Sequence, residues 1–155
     1  MSAAVQEVAA RRARELGGGA VRPRDVTVEM MEKEAAPGCR LFHAGWGSGA
    51  LSGLLRDDEP PDTYPAQAMG KIFRRWLDSG GLPDATHVAA VAAWMFDPER
   101  RRAVVLSEAD VRRAEWLRHV RPPEVIDDGG RPGVAFWWIV AGAGRRAGTC
   151  HGYTV

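Results

Sequence analysis

VAFWWIVA, residues 134–141, is apolar at every position. It is framed by DDGGRPG at 127–133 and GAGRRAG at 142–148, both rich in turn residues. A short apolar run between turns, with no polar face, reads as a central strand covered on both sides. It is too short to cross a bilayer, which takes about 20 apolar residues as a helix. Successive strand residues point to opposite faces, so Trp137 and Trp138 part company. If helices cover one face only, one indole is left on the other, and an accessible Trp is a typical interface anchor.

Working outward, TCHGYTV (149–155) reads as the strand returning from residues 134–141. Upstream, residues 107–120 predict a helix, with Ser107 as cap and Asp110 three residues on as a short capping-box variant. The segment 86–107 carries Trp94-Met95-Phe96, then DPER, then AVVL. That order suits a strand, a type I turn and a strand in return. Residues 65–79 predict a helix entered through Pro65, with Met69, Ile72, Phe73, Trp76 and Leu77 at helical spacing. Lys71, Arg74, Arg75 and Asp78 are left for water. Residues 45–63 hold many Gly, Ser and Pro and read as a loop with a turn of helix near 50–55. Val26, Val28 and Met30 alternate with polar neighbours, and CRLFHAGW (39–46) pairs with them as a hairpin. Residues 2–16 form a thin amphipathic helix stopped by Gly17-Gly18-Gly19.

The expected fold is α+β: a mostly antiparallel sheet from three hairpins, in the order α-ββ-α-ββ-α-ββ, with helices mainly on one face. Residues 1–19 form an N-terminal helix and Gly linker suited to a partner, and 20–155 one α+β domain. The 155 residues are enough for a self-sufficient core. Net charge is +1, so no overall field draws the chain to nucleic acid or anionic lipid. Of 21 basic residues, 19 are Arg, and Asn is absent. Such a bias follows GC-rich codons and points to a high-GC bacterial genome. The N-terminus has no apolar signal region, and two Cys build no disulfide framework. A cytoplasmic protein with no membrane segment is expected.

Gly148-Thr149-Cys150-His151-Gly152 has the spacing of a nucleophile elbow, but an elbow needs a helix after the thiol, and only three residues follow Gly152. Cys39, His43, Cys150 and His151 are permissible zinc ligands. Yet Cys39 and His43 stand about 13 Å apart along a strand, and Cys150 and His151 point oppositely. Gly45–Ala50 and Gly142–Ala147 both match a dinucleotide fingerprint, and neither opens the long helix that would receive a pyrophosphate. No cofactor and no metal are expected.

Two function classes remain in front of a third. The first is a non-enzymatic interaction module, accessory or self-assembling, that meets a protein partner or a second copy through Trp137 or Trp138, with Trp46 as a further contact. The second is a small enzyme that uses His43 and His87 as acid and base beside the Gly-rich 43–52 loop with Ser48. The third, nucleic-acid binding through Arg100–Arg102, Arg112, Arg113, Arg118, Arg121, Arg145 and Arg146, is disfavoured. Glu99, Glu108, Asp110 and Glu115 interleave with those residues as on a solvated face.

Overall fold

The computed structural model describes residues 2–17, 19–47, 49–96, 104–105, 107–113, 120–127, 132–140 and 149–154. The elements run α1 (Ser2–Glu15), a 3₁₀ turn (Pro23–Asp25), β1 (Thr27–Met30), β2 (Arg40–Trp46), β3 (Gly49–Arg56), β4 (Glu59–Asp62), α2 (Pro65–Asp78) and α3 (Ala85–Phe96). After them come β5 (Val104–Val105), α4 (Glu108–Arg113), β6 (Glu124–Asp127), β7 (Pro132–Val140) and β8 (Thr149–Thr154). The class is α+β, and every strand pairing is antiparallel. The chain divides into two compact units, Met1–Leu82 with Trp94–Pro98, and Pro83–Ala93 with Glu99–Val155. The strands form two sheets, and the three-hairpin order gives way to a run of four consecutive strands in the first unit.

The first unit is built on β2 and β3, the inner pair of the sheet β1-β2-β3-β4. Phe42 and Ala44 of β2 and Leu51 and Leu55 of β3 point to one face, where they close a core with Val5, Ala9 and Ala10 of α1. The small α1 residues let its backbone come close to the sheet, so the thin stripe suffices. Leu16 is 60% exposed, since it lies past the end of α1 at Glu15, where Gly17 at φ 83 turns the chain. On the opposite face Leu41 and Leu54 sit directly across from one another and are buried. That side is approached by α2, so helices flank both faces of this sheet.

Within residues 45–63, expected as a loop with a turn of helix near 50–55, Gly49–Arg56 and Glu59–Asp62 are strands β3 and β4. The expectation failed for two physical reasons. Strand β3 is buried on both faces, so its Gly and Ser positions break no visible alternation. A side chain at Gly53 has no room: a Cβ there would meet the Phe42 ring at 2.4 Å and the Asp62 carbonyl at 2.5 Å. Pro60 and Pro61 are tolerated because β4 is an edge strand.

Helix α2 begins at Pro65 as expected and buries Ala68, Met69, Ile72 and Trp76. The Trp76 indole donates to the Ala35 carbonyl at 2.8 Å and meets Phe73 edge-on. Leu77, expected on the apolar face, is 63% exposed. Lys71 ties α2 to β4, donating to Glu59 and Asp62 at 3.0 Å each. Those carboxylates, Asp62 first, hold its ammonium above its ordinary value.

Residues 85–96 are helix α3, which corrects the strand expected through Trp94-Met95-Phe96. The overlooked signal is Asp84, whose carboxylate accepts from the His87 N–H at 3.0 Å as a cap. Val88, Val91, Ala92 and Met95 then form a buried helical stripe. The DPER turn lies outside the described residues.

In the second unit, β7 is the strand common to three pairings, as a central strand should be. Ala135 lies between Glu124 of β6 and Thr154 of β8, and Trp137 between Val105 of β5 and Gly152 of β8. Strand β6 was not anticipated, since EVID is too short to show a pattern. Ser107 caps α4 as expected, accepting from the Asp110 N–H at 3.3 Å. Among the described residues no helix is long and apolar enough to cross a membrane.

Two glycines give opposite expectations for stability. Gly53→Ala drives a methyl into Phe42 and Asp62 and should cost about 1–3 kcal/mol. Gly70, within α2, has nothing within 4 Å of a Cβ, so Gly70→Ala should gain about 0.5–1 kcal/mol. Denaturant unfolding of the two variants against wild type checks both signs.

Candidate functional site

Strand β7 alternates in exposure over residues 134–137. Val134 and Phe136 are buried, while Ala135 and Trp137 on the other face are half-buried. On that face the β6 neighbour of Ala135 is the exposed Glu124, and the β8 neighbour of Trp137 is Gly152, which contributes no side chain. The flank of the indole toward β8 therefore has no cross-strand side chain at its own register position. Trp138 pairs with Val104 and His151 in the backbone ladder. Trp46 is half-buried at the end of β2, packed against the α1-side core, with its ring 2.9 Å from where a Gly49 Cβ would stand.

His43 lies on β2 with a different company from the one expected. Glu29 of β1 is directly opposite it on one side, and Ser52 of β3 on the other. Opposed residues of an antiparallel sheet share a face, with Cβ atoms about 4.5–5.5 Å apart. Carboxylate, imidazole and hydroxyl thus form a row across three strands. Exposure falls along it, from exposed Glu29 through half-buried His43 to Ser52 at 3%. The Ser52 hydroxyl has no hydrogen-bond partner among the described residues. The imidazole Nε2 lies 3.9 Å from the place of a Gly45 Cβ, so the ring leans over that glycine.

His87, expected at the start of a strand, stands in the first turn of α3 and belongs to the second unit. The pairing of His43 with His87 across a sheet has no strand to carry it. Ser48 lies outside the described residues, as do Arg100–Arg102, Arg118, Arg145, Arg146 and the Gly142–Ala147 match. The other dinucleotide match, Gly45–Ala50, spans the end of β2 and the start of β3, with no helix following. Among the described residues no group of three or more His, Cys, Asp or Glu side chains is placed to hold a metal ion.

Glu29, and the strand pairing that sets Ser52 opposite His43, are what sequence reasoning missed. A register signal was present. Trp46 and Gly49 close the β2–β3 pair with two residues between them, Gly47 and Ser48, and Gly-Ser is a two-residue hairpin signature. Applied to residues 40–56, it sets His43 against Ser52.

No family model, no curated protein and no solved structure matches this chain.

Proposed function

We propose that the chain is a small cytoplasmic protein-interaction module and that a protein partner docks on the β7 face bearing Ala135 and Trp137. The observation that carries this is the alternation along β7: one face buried at Val134 and Phe136, the other half-open at Ala135 and Trp137. Gly152, the register neighbour of Trp137 on β8, brings no side chain of its own to that position. A large aromatic group held on a central strand loses little further freedom on binding, which is what makes Trp an interface anchor. Glu124 marks the polar rim of the patch.

A photo-crosslinking residue in place of Glu124, in the protein expressed in its own cell, should give one discrete adduct. The same residue in place of Leu77, exposed in the first unit, should not. Trp137→Ala should weaken the Glu124 adduct at least about tenfold. Adducts that are identical from both positions, or untouched by Trp137→Ala, contradict the proposal.

Acid–base catalysis is the alternative, and the Glu29–His43–Ser52 row favours it. In this role the Ser52 Oγ attacks an electrophile, His43 takes its proton and Glu29 stabilises the imidazolium. The deep burial of Ser52 limits access and ranks this second. A fluorophosphonate reports on it directly: Oγ bonds to phosphorus, fluoride leaves, and the hydroxyl proton passes to the imidazole. Labelling that is lost in Ser52→Ala, and slowed about a hundredfold or more in His43→Gln, is the expected result. An unlabelled wild-type protein rules the row out as a nucleophilic site.

A further inference from the structure

Along α2, residues 67, 70, 71, 74 and 78 recur at three- and four-residue spacing and so share one flank of the helix. That flank is one wall of an open cavity of about 570 Å³. Cys39 and Arg56 come from the sheet side, and Lys71, Arg74, Arg75 and Asp78 from the helix. The volume is that of a small-molecule site. Four cationic side chains and one carboxylate face it. The residues read from the sequence as a solvated helix face are the lining of a pocket.

The four cations are not equivalent. Arg56 is held by Glu59 at 2.7 Å and by Asp58 at 3.7 Å. Lys71 is held by Glu59 and Asp62. Arg74 and Arg75 form no ion pair with a described residue, although Arg75 reaches the Cys39 thiol. Two adjacent guanidinium groups, one exposed and one half-buried, therefore face the cavity outside any ion pair among the described residues. Burial pushes the Cys39 thiol above its ordinary value, with Arg56 and Arg75 pulling the other way, so the thiol is a neutral wall rather than a competing anion.

Gly70 is the second, independent sign. It sits in the middle of α2, where alanine would fit without a contact inside 4 Å and would favour the helix. What glycine preserves there is open space in the cavity wall.

We infer that this cavity binds a hydroxyl-bearing phosphate monoester, the phosphate on Arg74 and Arg75 and the hydroxyls on Asp78 and Gln67. Guanidinium forks match phosphate oxygens in pairs. Asp78 decides the rest of the ligand: a carboxylate repels a bare anion and accepts hydrogen bonds from hydroxyl groups. Gln67, on the same flank, can donate and accept.

The test is calorimetric titration of the full chain with a hexose phosphate, the same hexose without phosphate, and inorganic phosphate. The hexose phosphate should bind saturably, with Kd below about 1 mM. The unphosphorylated sugar should not bind, and inorganic phosphate should bind more weakly than the ester. Arg74→Gln with Arg75→Gln should weaken binding about tenfold or more. Gly70→Leu should block it while leaving the chain folded by circular dichroism. Absence of saturable binding by the hexose phosphate, or binding unchanged in the double Arg variant, overturns the site. Equal affinity for the ester and for inorganic phosphate overturns the ligand class.

Discussion

The Phe42 ring lies across β3 where the Gly53 side chain would be, close to the Asp62 carbonyl of β4. Much of the first unit depends on this overlap. With the ring laid over the glycine, the small residues of α1 can pack on the sheet beside Phe42 and Ala44. The same pair of strands places Leu41 and Leu54 on the reverse side, so the ladder is buried from both directions. A sheet held in this way has little freedom of register, because a slip of one residue would exchange its two faces.

That fixed register gives the chemistry its positions. It lines up Glu29, His43 and Ser52 across three strands. It also brings Arg56, at the end of β3, to the cavity beside α2, while β4 supplies the carboxylates that hold Lys71. Glu29, His43 and Ser52 come from three separate strands and are not neighbours along the chain in the way a short motif would be. In the second unit β7 does comparable work: three partners hold it, and its alternation sets Val134 and Phe136 apart from Ala135 and Trp137. The two proposed binding surfaces thus sit on separate compact units, each carried by a strand with neighbours on both sides.

What could be read in advance followed from how strongly burial shapes the local pattern. Helix α2 was visible through Met69, Ile72 and Trp76, and β1, β2 and β7 through alternation or unbroken apolarity. Helix α4 was visible through Ser107 and Asp110. Strand β3 was hidden because burial on both faces erases alternation and because Gly53 resembles a loop residue until the ring of Phe42 is known. Helix α3 was hidden because Trp94, Met95 and Phe96 fit strand propensity, while the cap that decides the matter is the single residue Asp84. Basic residues on α2 look the same in sequence whether they face bulk water or a cavity; only the arrival of Cys39, just before β2, and of Arg56, at the end of β3, separates the two cases.

The claim beneath all of this is that β2 and β3 form the most firmly held ladder of the first unit. Amide hydrogen exchange of the native chain, resolved by residue with NMR, addresses it most directly. The amides of Leu41 to Ala44 and Leu51 to Leu54 that donate within the ladder should exchange more slowly than any in α1 or β4, opening only with the whole unit. Fast exchange in that ladder, at rates like those of the β4 edge, would mean the two-sided burial does not hold the sheet and would contradict the account.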